Sequence, residues 1–177
     1  MISGEFAHIR MAEPDDASAL LRHYRDGTLR AGLLDPKREP MMPALDELRE
    51  LLGHKEMQQG AFYAIENPGG EIRGFCGLRG AGFEAAYGEI RLLFHDETEF
   101  GQAIALETLD FLCKRAFGQM NLRKILAVCL DSEQAFRALL LSMEFSSDGL
   151  QRQVYYGRGH WHDLETFSRF APALTGG

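Results

Sequence analysis

The residues Asp96-Glu97-Thr98-Glu99-Phe100-Gly101-Gln102-Ala103-Ile104-Ala105-Leu106-Glu107 form the stretch best suited to hold a charged ligand. Gly101, Ala103 and Ala105 are small residues at the amino end of a segment in which Ile104, Leu109, Leu112 and Ala116 recur at helical spacing through to Phe117. The first N–H groups of a helix have no intrahelical acceptor, so with small side chains around them they can meet a phosphate or pyrophosphate. Small residues at this place serve close helix packing equally well, and the loop alone leaves both readings open. His160-Trp161-His162-Asp163 puts two imidazoles at alternate strand positions. No cysteine or further histidine is placed to complete a zinc set, so no metal site is expected.

The flanking elements favour a ligand. Glu89-Ile90-Arg91-Leu92-Leu93-Phe94 reads as a strand ending at a polar turn. Leu122 to Leu130 is a short apolar run of the kind found in buried strands. Strand, helix and strand make a βαβ unit with parallel strands and a right-handed crossover. Open α/β sheets bind ligands at the carboxyl ends of such strands, which is where Gly101 lies.

From Asp96 to Ser168 the chain resembles the GNAT N-acetyltransferase superfamily, in particular its ribosomal-protein alanine N-acetyltransferase-like branch. That branch runs Trp/Arg-Gly-Lys-Gly-Tyr-Ala-Thr-Glu-Ala-Leu at its acyl-CoA loop, in register with Phe100-Gly101-Gln102-Ala103-Ile104-Ala105-Leu106-Glu107-Thr108-Leu109. Without a gap, its Ala-Phe falls on Ala116-Phe117 and its Leu-His-Arg-Val on Leu122-Arg123-Lys124-Ile125. Its Gly-Phe falls on Glu144-Phe145, its Glu-Gly-x-x-Arg on Asp148-Gly149-Leu150-Gln151-Arg152, and its final turn on Gly159 to Asp163. Ile9 to Ala17 resembles the opening strand and first helix.

The resemblance implies an α+β fold: a strongly twisted mixed sheet of about seven strands flanked by about four helices, with one βαβ unit at the cofactor loop. It implies a single acyltransferase domain over residues 1–177, split between the strand ending near Phe94 and the strand starting near Lys124 to admit a pantetheine arm. Acetyl-CoA is the implied donor, held by Phe94, His95, Phe100, Gly101, Gln102, Ala103, Ile104 and Ala105. Backbone N–H groups near Phe94 and His95 would polarise the thioester carbonyl. Glu89 is the first candidate for the base that deprotonates the amine, His95 the second. No general acid is assigned, Ser132 and Ser142 being the nearest hydroxyls to Leu140, which stands where some members carry a tyrosine. The acceptor would be a primary amine on a small molecule or a protein amino terminus.

Departures from the family pattern define an alternative, a degenerate and non-catalytic GNAT-fold protein that binds acyl-CoA or a partner. Ala103 replaces the second loop glycine and Gln102 the basic residue. Glu97 and Glu99 bring negative charge to a pyrophosphate site, Glu133 replaces an asparagine, and Leu140 replaces the tyrosine. Alanine tolerates helical dihedrals, so Ala103 forbids binding only if the loop needs a positive φ there. Helical dihedrals are expected.

Composition narrows the class. A chain of 177 residues with 45% hydrophobic content can bury a sizeable core. A net charge of −7 disfavours nucleic acid and anionic membrane as partners and suits a cationic amine. Cys76, Cys113 and Cys129 show no CxxC spacing and read as core residues in a reducing cytoplasm. No apolar run approaches a membrane span, and the first ten residues lack the core of a secretion signal. Monomer and homodimer are both compatible with this surface. Along the chain, strands are expected over Phe6 to Met11, Ala61 to Glu66, Ile72 to Leu78, Ala85 to Phe94, Val154 to Tyr156 and Leu164 to Phe170. Helices are expected after Pro14, over Leu45 to Gly53 and over Ser132 to Met143. The irregular segment Asp26 to Pro43 is where the resemblance places acceptor-binding loops.

Overall fold

The computed structural model describes residues 2–25, 43–53, 62–79 and 86–172, with Ile2 and Ser3 described by backbone alone. Eight strands form one mixed sheet: β1 (Ile2–Ser3), β2 (His8–Met11), β3 (Phe62–Glu66), β4 (Ile72–Arg79), β5 (Tyr87–Phe94), β6 (Lys124–Leu130), β7 (Ser146–Gly157) and β8 (His160–Phe170). Their order is β1-β2-β3-β4-β5-β6-β8-β7, and every pairing is antiparallel except β5 with β6. The two-residue β1 is the strand beyond the seven expected. Four α-helices flank the sheet among the described residues: α1 (Ala17–Arg25), α2 (Leu45–Gly53), α3 (Ala103–Lys114) and α4 (Gln134–Ser142). None of the described helices is long and apolar enough to cross a membrane. The segment Asp26 to Met42 lies outside the described residues, as do Ala61 and Ala85 at the edges of two expected strands.

Strand alternation divides the core between the two faces. Ile90, Leu92 and Phe94 of β5 face α3 and α4, packing with Ile104, Leu109, Leu112, Phe136 and Leu140. Leu93 turns to the opposite face, where Phe75 and Ala64 meet Leu20, Leu21 and Leu48 of α1 and α2. Arg91 and Glu89, at the same parity as Leu93, therefore belong to the α1–α2 face. Cys76, Cys113 and Cys129 are free and buried in this core, and burial pushes the Cys76 thiol up.

Local chemistry explains most boundaries. Asn67 turns the β3–β4 hairpin: its Oδ1 accepts from the N–H groups of Gly69 and Glu71, and Gly70 takes φ 80°. The amino-terminal arm is fastened by Glu107 of α3, whose carboxylate accepts from the N–H groups of Glu5, Phe6 and Ala7 at 3.1, 2.9 and 2.8 Å. The β7–β8 hairpin is much longer than the sequence signals. β7 is an exposed edge with register shifts near Gly149 and Gln153, and its polar run shows no period-2 pattern. Its turn, Gly157–Arg158–Gly159–His160, has φ 49° at Arg158 and 84° at Gly159, a tight two-residue connection of the type that suits right-twisted strands.

Gly74 of β4 stands opposite Phe94 at the end of β5. A Cβ at Gly74 would lie 2.2 Å from the Leu93 carbonyl oxygen and 3.0 Å from the Phe94 Cα, both backbone atoms. Gly74→Ala should therefore push apart the strand end that carries the ligand loop, costing about 1–3 kcal/mol in urea unfolding. An unchanged unfolding midpoint would contradict this packing.

Candidate active site

β5 and β6 begin together and then part. Tyr87, Gly88 and Glu89 pair with Lys124, Ile125 and Leu126, after which the ladder stops although β5 runs on to Phe94 and β6 to Leu130. β6 instead stays paired with β8 along its whole length. The gap expected between the two strands is present, with its apex at Glu89 and its mouth at the carboxyl ends. Lys124 N–H donates to the Ala86 carbonyl at 3.3 Å, so the even-numbered peptides of β5 turn toward β6. Phe94 accordingly presents its peptide edge to the gap. His95 does not: its N–H donates to the Arg73 carbonyl at 2.8 Å, which corrects the expectation that it polarises a carbonyl.

The loop after β5 is built by short-range hydrogen bonds. The Asp96 carboxylate accepts from Thr98 N–H at 2.9 Å and from its hydroxyl at 2.6 Å, opening a 3-10 turn over Glu97–Gly101. Gln102 is extended, at φ −110° and ψ 166°, and α3 starts at Ala103. Ala103 is not among the positive-φ residues, as expected for a helical position. Two of the anticipated donors are spent internally: Gln102 N–H on the Glu99 carbonyl at 2.9 Å, and Ala105 N–H on the Gln102 carbonyl at 3.1 Å. Ala103 and Ile104 carry the first N–H groups of α3, and neither has a backbone acceptor among the described residues. A Cβ at Gly101, two residues before that N–H pair, would meet nothing within 4 Å, so the loop is open at Gly101. The Phe100 side chain points the other way, into the core, with ring centroids 5.1 Å from Phe94 and 4.9 Å from Phe136. A phosphate fits this arrangement.

The loop's carboxylates are engaged elsewhere. Glu99 is 3% exposed and is gripped by Arg73 of β4, whose Nε donates at 2.9 Å and whose terminal nitrogen also reaches it. That bond, with the Glu99 charge, raises the Arg73 pKa further. Glu97 pairs with Arg158 from the β7–β8 turn at 3.4 Å. Glu133 takes up a turn role, its carboxylate accepting from Leu130 N–H at 2.8 Å, and Leu140 is a fully buried core residue. No local pattern announced Arg73 or Arg158, because their partners lie 26 and 61 residues away.

The two candidate bases are separated. Glu89 stands at the apex on the α1–α2 face, 28% exposed, with Arg91 Nη2 at 3.2 Å. His95 is six residues farther on, about 20 Å at strand rise, at the mouth. One amine cannot reach both. The His95 ring stacks on His23 of α1, centroids 4.0 Å apart and planes 14° from parallel, and His23 also meets Phe75 edge-on at 5.8 Å. His23 is 1% exposed, and neither ring nitrogen has a hydrogen-bond partner among the described residues. Burial, with His95 and Arg22 nearby, pushes its pKa down to about 3. In the former metal candidate, His162 is buried and bonds Asp131 Oδ1 at 2.8 Å, tying the hairpin to the end of β6.

Residues 8–146 match the acetyltransferase (GNAT) domain family. The chain belongs to that family. No curated protein sequence matches it. Among solved structures, a probable acetyltransferase is similar over 94% of each chain, at 23% identity and TM-score 0.77. Spermidine N-acetyltransferase from Vibrio cholerae, solved with CoA and spermine, is similar over 94% of this chain and 96% of its own, at 17% identity and TM-score 0.79. A dodecameric structure of that enzyme gives 16% identity and TM-score 0.78 over 94% and 95%. At these identities the likeness is one of fold, and its GNAT architecture is the one the residues around Gly101 imply.

The neutral His23 has a measurable consequence. The unfolded chain protonates an ordinary imidazole near pH 6.5, whereas the folded chain keeps His23 neutral down to about 3. Its contribution to stability is whole above pH 6.5 and is lost as the pH falls toward 3, by up to about 1.4 kcal/mol per pH unit. Urea unfolding of wild type and His23→Phe at pH 7, 5.5 and 4.5 should show the variant gaining steadily on the wild type. A pH-independent difference would contradict the assignment.

Proposed function

We propose that this GNAT-family enzyme is an acetyl-CoA-dependent N-acetyltransferase whose acceptor is a primary amine, on a small molecule or a protein amino terminus. The observation that carries the reading is the parting of β5 from β6 beside a helix whose first two N–H groups have no backbone acceptor among the described residues. Bound acetyl-CoA supplies the acetyl group as an activated thioester. The N–H groups of Ala103 and Ile104, beside the open position at Gly101, hold its pyrophosphate. The peptide N–H of Phe94, at the mouth on the gap edge of β5, meets the entering arm; at about 17 Å of strand from Glu89 it is too far to serve the carbonyl that the amine attacks.

Glu89 takes the proton of the arriving ammonium. It stands at the apex, where an arm entering at the mouth and lying along β5 brings its far end. Arg91 fixes the direction of its carboxylate. His95, at the mouth, lies beside the nucleotide end and does not act on the amine. A net charge of −7 favours the approach of a cationic acceptor, and the fold shared with a spermidine acetyltransferase makes polyamines the first acceptors to try. The chain acts as one domain, in the cytoplasm.

With spermidine and amino-terminal peptides as trial acceptors, Glu89→Gln should lower kcat by about 10²–10⁴-fold while leaving acetyl-CoA affinity intact. His95→Ala should retain most of kcat. Full turnover in Glu89→Gln would overturn the assignment of the base.

A further inference from the structure

The loop from Asp96 to Ala105 contains no basic residue, although the pyrophosphate placed there carries two negative charges. Among the described residues, two cations reach the loop from other elements. Arg73 is committed: two of its nitrogens grip the buried Glu99, and a third lies 3.2 Å from Glu71. Arg158 is held loosely, by one nitrogen at 3.4 Å from an exposed Glu97, and it is itself 52% exposed. Its position is nonetheless fixed. It occupies the left-handed corner of the two-residue turn between β7 and β8. The register Leu130 opposite Leu164 carries that turn past the end of β6, and His162 bonded to Asp131 pins it there. The tip thus stands at the carboxyl end of the sheet, and the Glu97 contact shows that Arg158 reaches the ligand loop.

We propose that Arg158 is the cation of the nucleotide site: in the free protein it rests on Glu97, and on binding it turns to the pyrophosphate of acyl-CoA. This rests on the nucleotide reading of the α3 start. A loose pair between exposed side chains contributes little to stability, so exchanging Glu97 for a doubly charged ligand costs the fold little. Charge-assisted bonds from a guanidinium to phosphate are stronger and can be bidentate. The arrangement supplies from a distant hairpin the charge that Gln102 does not.

The test is titration of wild type and Arg158→Asn with three ligands: acetyl-CoA, acetyl-dephospho-CoA and S-acetylpantetheine. Asparagine tolerates the left-handed turn, and an unchanged melting temperature checks the fold. Arg158→Asn should weaken acetyl-CoA about tenfold, weaken acetyl-dephospho-CoA equally, and leave S-acetylpantetheine unchanged. Equal affinities of wild type and variant for acetyl-CoA would overturn the proposal. So would a loss shared by S-acetylpantetheine, or one that vanishes with acetyl-dephospho-CoA. Failure of wild type to bind acetyl-CoA at all would instead remove the nucleotide reading on which the proposal stands.

Discussion

The ladder between β5 and β6 ends after three residue pairs, and the carboxyl end of the sheet is arranged around that ending. Parallel strands normally stay paired because buried peptide groups need partners. Here β6 keeps its bonds to β8, and β5 keeps its bonds to β4 out to Phe94 and His95. Each strand holds one neighbour and releases the other. What closes the structure beneath the opening is aromatic packing: Phe94 at the end of β5, Phe100 in the loop and Phe136 on α4 form a continuous contact. The opening is therefore a built feature with a packed floor.

The loop depends on the same logic. Its five-residue turn is fixed by the Asp96 cap on one side and by the Arg73–Glu99 pair on the other. A buried carboxylate is tolerated only with a partner, and Arg73 supplies it from β4, the strand that also supports β5. Residues that weaken the match to the acyl-CoA loop thus have positive structural roles. Glu99 ties the loop to the sheet, Glu133 closes the β6–α4 turn, Leu140 fills the core, and Ala103 begins a helix where glycine's extra freedom is not required. With these accounted for, the features that favoured a non-catalytic protein lose their force.

Much of the fold was legible because it is written locally. The Asn67-Pro68-Gly69-Gly70 hairpin, the Leu45 to Gly53 helix and each single element of the βαβ unit carry their own periodicity or turn residues within a dozen positions. The long β7 was not legible: its residues are polar and exposed, and it is a strand because β8 holds it. At the site, Gly101, Ala103 and Glu89 could be picked out by residue type and register. Which N–H groups remain available could not, since that turns on individual bonds such as His95 to Arg73 and Gln102 to Glu99. Long-range partners such as His23 with His95 leave no trace in local spacing.

Acetyl transfer by this fold requires the α3 start, with alanine in place of the family's second glycine, to be a working nucleotide site. Calorimetric titration of acetyl-CoA into wild type and Ala103→Gly tests this directly. Because Ala103 already has helical geometry, both proteins should bind with closely similar dissociation constants. A wild type that shows no binding at millimolar acetyl-CoA, with binding restored by the glycine, would contradict it.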